Sequence, residues 1–199
     1  MNTKKMTDNT LRHLRPSVMF TLITVVLLGM VYPLVMTGIS QLIFPTQANG
    51  SMVNVAGKPV GSSIIGQLWK SPKYFQGRPS AAGNGYDPTS TGATNLGPTS
   101  KKLIDATRSA IAALKKANPD ATDPIPMDLV TTSASGLDPD ISPEAAYYQA
   151  PRVASARHMS LDAVRAVIAA HVASRQLGFL GEPRVNVLEL NLVFDGDHT

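Results

Sequence analysis

VMFTLITVVLLGMVYPLVMTGI, residues 18–39, holds a single ionisable group, Tyr32, in 22 positions. As an α-helix it would be about 33 Å long, which matches a hydrocarbon core of about 30 Å. The segment 18–43 is therefore predicted to be a transmembrane helix. A cleaved signal peptide is the alternative, but apolar regions of that kind run to about 7–15 residues, and the small residues nearby, Thr46 and Ala48, make a poor cleavage site. Pro33 removes one backbone donor and Gly29 lies one turn before it, so a kink is expected, tolerable where a neighbouring helix covers the freed carbonyl. Gly29, Pro33, Thr37, Gly38 and Ser40 suit close packing against other membrane helices, although small residues are common in spans in general.

Charge orients the span. Ahead of it Lys4, Lys5, Arg12 and Arg15 face one acid, Asp8, whereas the next basic residue after it is Lys58. The positive-inside rule makes residues 1–17 a cytoplasmic basic tail and puts 44–199 outside. Of the chain's 18 Lys and Arg and 14 Asp and Glu, 14 and 13 remain beyond the span, a balance of only +1. The pI of 9.4 thus reports the membrane-orienting tail. Nucleic-acid binding needs basic residues clustered on one face with aromatics between them, a pattern this chain lacks. The charged fraction, 16%, is diluted by the apolar span. With no cysteine, disulfides, thiolate zinc sites, iron–sulfur clusters and cysteine nucleophiles are excluded.

The roughly 150 residues after the span are enough for one domain with its own core. Nine of the 15 glycines lie between Gly50 and Gly97, along with Pro59, Pro72, Pro79, Pro88 and Pro98, so this half should be turns, ordered loops and short strands, one or two of them within Val60 to Leu68. Tyr74 and Phe75 read as anchors in a rigid turn. A helix capped at Thr99 or Ser100 should run to Ala117 with Leu103, Thr107, Ile111 and Leu114 on one face. Residues 125–135, IPMDLVTTSAS, read as a short strand. Ser142-Pro143 should start a helix that Pro151 bends or interrupts, and Ser160 a second one reaching Ser174, stopped by Gly178. RVNVLELNLVF, 184–194, alternates as a strand with Leu188, Leu190, Leu192 and Phe194 on its buried side. Helices and strands without a βαβ rhythm predict an α+β domain behind the single span.

Catalytic signatures are missing. There is no GxxxxGK[ST], no aspartate precedes a lysine as in a P-type phosphorylation site, and GxSxG and HExxH do not occur. The four histidines, His13, His158, His171 and His198, are too scattered for a metal site, and none is expected. Asp138 and Asp140 flank Pro139 and fit a turn leading into the next helix as well as they fit acid–base or calcium chemistry.

Taken together, IFPTQANGS (43–51), SSIIGQ (62–67), YFQGRPSA (74–81), TNLGPTS (94–100), SASGLDPDISPEAA (133–146), QAPRVASAR (149–157) and VNVLELNL (185–192) resemble the KdpC family, the C subunit of the bacterial Kdp potassium-transporting ATPase. The resemblance covers nearly the whole chain in order. It implies a non-catalytic subunit of an inner-membrane complex with KdpA, the channel-like potassium-translocating subunit, KdpB, the P-type ATPase, and the small peptide KdpF. It also implies a catalytic chaperone that raises the ATP affinity of KdpB, with ATP bound only in complex with KdpB and no tightly bound cofactor. An outer domain sits where ATP is scarce, so topology is favoured over direct nucleotide contact; Gln149 and Gln176 are the residues through which such contact would run. On this reading the span, through Gly29 and Pro33, packs on KdpA while the domain caps the potassium entrance. Tyr74, Phe75, Arg78, Asn95 and the 135–157 segment, with Gln149, Arg152 and Arg157, would make contact or position it. Asp138, Asp140 and Glu144 would raise the local cation concentration. The plainer reading makes Tyr74 and Phe75 core anchors and Arg78 and Arg152 loop clamps. Two other classes stay open: an anchored extracytoplasmic hydrolase using a serine of 131–135 with His158 or His171, and an anchored binding module.

Overall fold

The computed structural model describes residues 3–196, with side chains from residue 12 onward; the charges read at Lys4, Lys5 and Asp8 and the imidazole of His198 lie outside what is described. The chain divides into two compact units, one ending at Ser51 and one beginning at Met52.

The first unit is helical: α1 (Thr3–Val26), a π-helical turn (Leu27–Val31), α2 (Tyr32–Ile43) and the single turn α3 (Pro45–Ala48). The stretch from Arg12 to Ile43 is long and apolar enough to cross a membrane, and none of its apolar window is buried. The π turn is what Pro33 produces. In a regular α-helix its ring would press on the carbonyl of Gly29, four residues back, and supply no donor to it. Instead the Tyr32 N–H reaches the Leu27 carbonyl, five residues back, and the ladder widens by one residue just ahead of the proline. Elsewhere in the helix hydroxyls find partners along the backbone, Ser17 Oγ donating to the His13 carbonyl at 2.8 Å and Thr21 Oγ1 to that of Ser17 at 2.9 Å, as apolar surroundings demand.

The second unit opens with an antiparallel hairpin, β1 (Met52–Val55) and β2 (Lys58–Ser62), turning through Ala56 and Gly57. Little of the expected 60–68 strand is realised beyond the end of β2. Residues 63–100 form neither helix nor named strand, and the parts around 80–82 and 91–92 are held against the 131–140 segment. Gly136, at φ +71°, lies so close that a Cβ would sit 2.8 Å from the Ala82 nitrogen and from the Gly92 oxygen. Its carbonyl accepts from Ser80 Oγ at 2.6 Å, and the Ser135 carbonyl accepts from Thr91 Oγ1 at 2.8 Å. Helix α4 (Lys101–Ala117) follows as expected, with the Leu103–Leu114 face half-buried.

The core is built by α5 (Pro143–Arg157), α6 (Leu161–Ala170), the two-residue strands β3 (Asp140–Ile141) and β4 (Val185–Asn186), and α7 (Val187–Phe194). Phe75, Val153, Val164, Ile168, Val185 and Leu190 are fully buried at its centre. Ser142 Oγ caps α5 by accepting from the Ala145 amide at 3.1 Å, with Pro143 in the first turn where a missing donor is harmless. Pro151 does not interrupt α5, which runs on to Arg157 and ends at His158 in the left-handed region. Helix α6 ends at Ala170, short of the expected Ser174. The chain then forms a hairpin over 173–184, bridged at Ala173–Arg184 and Gln176–Leu180, so Gly178 sits in its turn and does not stop a helix.

Two expected strands are corrected. Residues 125–135 contain only a 3₁₀ turn, Met127–Leu129; Pro126 denies the segment one ladder donor and Pro124 withholds another just ahead of it, and the Asp128 carboxylate is used by the Ser142 amide at 2.7 Å. In 184–194 only Val185 and Asn186 pair as strand, with Ile141 and Asp140. Asn186 then caps α7, its Oδ1 accepting from the Glu189 amide at 3.1 Å. The alternation misleads because Val187, Leu188, Leu190, Asn191 and Leu192 are all buried. A helix enclosed on nearly every side has no polar stripe to reveal its period.

Asn186→Ala is expected to lower the stability of the full chain in detergent by about 2 kcal/mol, because it removes both the α7 cap and the bond from Nδ2 to the Ser63 carbonyl. Chemical denaturation checks this; a loss below about 0.5 kcal/mol, the ordinary scale of a surface change, would speak for a strand here.

Candidate functional site

The predicted contact residues gather around the backbone of 72–76, which no strand pairs. Its polar groups are taken up by side chains from α5 and α7. The Gln149 amide forms a reciprocal pair with Gln76, Oε1 accepting from its N–H at 2.8 Å and Nε2 donating to its carbonyl at 3.0 Å. The Asn191 amide does the same for Phe75, at 2.8 and 3.0 Å. Arg152 donates to the carbonyls of Pro72 and Tyr74, to Asn118 Oδ1 at 2.9 Å and to Gln149 Oε1 at 2.8 Å. Arg157 donates to the Lys73 carbonyl at 2.7 Å and to Asp195 Oδ1 at 2.8 Å, and stacks over the Tyr74 and Phe194 rings.

Arg152 is 8% exposed and has no carboxylate partner among the described residues. Its charge is solvated by four acceptors, and burial pulls its pKa down to about 10, leaving it protonated at neutral pH. Asp195 accepts from Tyr74 Oη at 2.8 Å as well as from Arg157. Burial pushes its carboxyl up, but the bonds from Arg157 and Tyr74 and the charges of Arg157 and Lys73 outweigh this and hold it below the ordinary aspartate value.

Arg78 and the two neighbouring carboxylates form a second cluster. Arg78 Nη1 pairs with Asp138 at 3.1 Å and its guanidinium reaches the carbonyl of Thr132 at 3.3 Å. Asp140 pairs with Arg184 Nε at 3.0 Å and accepts from Asn186 at 3.2 Å. Burial, more than any other influence, pushes Asp140 up, with Asp138 and Glu189 adding to it against Arg184 and Asn186. Tyr86 Oη donates to the Arg78 carbonyl at 2.6 Å, and burial, with the Asp138 charge, carries this phenol to about 12 against the opposing pull of Arg78. The cluster borders a groove of about 1260 Å³, whose apolar lining includes Ile125, Met127 and Ile141.

The structure thus brings together Tyr74, Phe75, Gln149, Arg152 and Arg157 in one network and Arg78, Asp138 and Asp140 in another. Phe75 and Gln149 are fully buried; they serve the core and present no surface, and the Gln149 amide has no capacity left for a nucleotide. Asp138 and Asp140 are each neutralised by an arginine, which leaves Glu144 as the exposed carboxylate of the three expected to attract cations. Asn95 is exposed in the 88–98 loop at φ +51°. Gln176 lies in the exposed hairpin, bonded through its backbone to Leu180. Gly29 and Pro33 belong to the helical unit. Ser133 and Ser135 each accept from a backbone amide of the turn at 136–137, and neither bonds a histidine among the described residues. Sequence reading missed Asn118 and Asn191. A lone amide inside the leucine-rich run 187–194 was the available signal, since a buried polar group needs a buried partner.

A family model described as the K+-transporting ATPase, c chain, matches residues 14–196. The chain belongs to the KdpC family. The potassium-transporting ATPase KdpC subunit of Acidobacterium capsulatum is 54% identical over 188 residues, covering 94% of this chain and all of that protein. The KdpC subunits of Koribacter versatilis, 53% identical over 186 residues (93% of this chain, 95% of that one), and of Bradyrhizobium diazoefficiens, 50% identical over 197 residues (93% and 97%), are similar along the same length. As a KdpC subunit the chain is an accessory component of potassium transport and not the catalytic subunit of the ATPase.

The opposite shifts of the two aspartates give a pH test. Asp195, held low, contributes stability that is present above the ordinary aspartate pKa and lost as pH falls through its folded value. Asp140, pushed up, contributes at low pH and loses that contribution as pH rises through its folded value. Denaturation from pH 2.5 to 7 should therefore show the wild type losing its advantage over Asp195→Asn on acidification, while Asp140→Asn gains on the wild type as pH rises; parallel curves for either variant would contradict the assignment.

Proposed function

We propose that this chain is the assembly and stabilising subunit of a KdpFABC-type high-affinity potassium uptake pump in the bacterial inner membrane. Its N-terminus is cytoplasmic, the helix from 18 to 43 crosses the bilayer, and the domain that follows is extracytoplasmic. The observation that carries this reading is the apolar helix. Its surface is unburied, Pro33 strips one carbonyl of its backbone donor, and a Cβ built on Gly29 meets only its own Val25, at 4.0 Å. Hydrocarbon offers no donor, so a close-packed neighbouring helix is the natural complement. KdpA is proposed as that neighbour, next to the potassium pathway, with KdpB and KdpF completing the assembly.

A gain in the ATP affinity of KdpB is proposed to pass through protein contact. The commitment of Gln149 to Gln76 and Arg152 supports an indirect route, with ATP held by the complex and not by this chain alone. The polar surface proposed to face the partner carries Tyr74, Arg78, Asn95 and Arg157.

Gly29→Leu and Pro33→Leu are each expected to reduce recovery of KdpA and KdpB with the tagged chain by about tenfold, the scale of roughly 1.4 kcal/mol of lost packing; undiminished recovery would refute packing through this face. A reporter fused after Gly61 should be active only outside the cytoplasm, and activity only inside would reverse the orientation. Because each acid is paired, Asp138→Asn with Asp140→Asn should leave the apparent potassium affinity of the complex unchanged. A weakened affinity would restore a cation-concentrating role for the two carboxylates.

A further inference from the structure

The hairpin over 173–184 ends in Gln176-Leu177-Gly178-Phe179-Leu180, and Leu177, Phe179 and Leu180 are 83%, 70% and 47% exposed. Leu177 and Gly178 are both left-handed, at φ +52° and +82°, the two central positions of a tight turn that asparagine and glycine ordinarily fill. A large aliphatic side chain is thus held at a strained position and pointed away from the core. Charges are confined to the hairpin's legs, where Arg175 pairs with Glu182 and Arg184 with Asp140. The tip itself, 176–180, carries none.

We propose that this tip inserts into the headgroup region of the bilayer that anchors the chain, giving the domain a second, peripheral membrane contact. The inference rests on anchorage by the apolar helix and not on the identity of the subunits. Three observations favour lipid over a protein partner. An uncharged apolar end, with the arginines behind it paired to Glu182 and Asp140 so that the legs carry no net charge, fits the graded polarity of an interface, where apolar side chains enter the acyl boundary and polar groups stay among the headgroups. The three side chains offer roughly 400 Å² between them, by the usual area of such groups, about half of the ~800 Å² that one side of a stable protein interface buries. Lipid sets no such minimum. Finally, eight residues separate the end of α2 at Ile43 from β1 at Met52, a tether that reaches about 28 Å even when fully extended, so the domain never leaves the neighbourhood of a bilayer.

The test uses the full chain with Trp69→Phe and Phe179→Trp, which leaves a single tryptophan at the tip, reconstituted in phosphatidylethanolamine–phosphatidylglycerol vesicles with part of the lipid brominated near the headgroup end of its acyl chains. The expected result is at least twofold quenching by brominated lipid together with protection from aqueous iodide. Adding Leu177→Asn, which relieves the turn and removes an apolar contact, should weaken the lipid quenching severalfold while circular dichroism is unchanged. Free quenching by iodide would overturn the proposal, as would shielding from both quenchers, which would assign the tip to a protein contact. Release of the chain by alkaline carbonate would overturn the anchorage and this inference with it, while leaving subunit recovery to be judged separately.

Discussion

The fold of the second unit depends on the backbone of residues 72–76 being bonded by side chains instead of strands. Two buried amides, Gln149 and Asn191, each supply a donor and an acceptor to one residue of this segment, as a neighbouring strand would. Two guanidinium groups, Arg152 and Arg157, take the carbonyls of Pro72, Lys73 and Tyr74. Each group left without a partner in the interior would cost about 1–3 kcal/mol, so the loop, α5 and α7 stand or fall together. A domain with two small two-stranded sheets among the described residues has little ladder to distribute such a load.

This arrangement fixes the surface proposed for assembly. Tyr74 is held between Trp69, whose ring centroid is 4.6 Å away, and the Arg157 guanidinium, and its hydroxyl is tied to Asp195. Arg78, four residues on, is tied to Asp138 and the 131–132 carbonyls. A preorganised polar surface loses less side-chain entropy when a partner covers it. The helical unit meets a different demand, because in hydrocarbon every backbone group must be satisfied by protein. The π turn at 27–31 is the helix's own answer to Pro33, and the neighbouring helix proposed for Gly29 would complete it.

Sequence reading went furthest where one local rule decided the outcome. The span was legible because length and apolarity alone define it, α5 and α6 were legible from their caps at Ser142 and Ser160, and α4 from its apolar face, the Ser100 side chain at its start making no capping bond. The run 184–194 was misread because burial on nearly every side erased the period that separates strand from helix, and the cap at Asn186 was the stronger signal. Residues 125–135 carried apolar and β-branched side chains, but the prolines at 124 and 126 withheld the donors a strand requires. Tyr74, Phe75, Arg78, Arg152 and Arg157 stand out in the sequence; which of them are buried is not readable there, because their partners lie up to 121 positions away in the chain, as in the bond between Tyr74 and Asp195. The hairpin at 173–184 was missed because Gly178 reads as the stop of a helix reaching Ser174, whereas it sits in the hairpin's turn.

Hydrogen exchange of the Phe75 and Gln76 amides in the full chain tests this account most directly. Both should exchange as slowly as the amides in the middle of α5, because their acceptors are the buried side chains of Asn191 and Gln149. Exchange at the rate of the 88–98 loop would contradict it, since residues 72–76 would then open independently of the helices said to hold them.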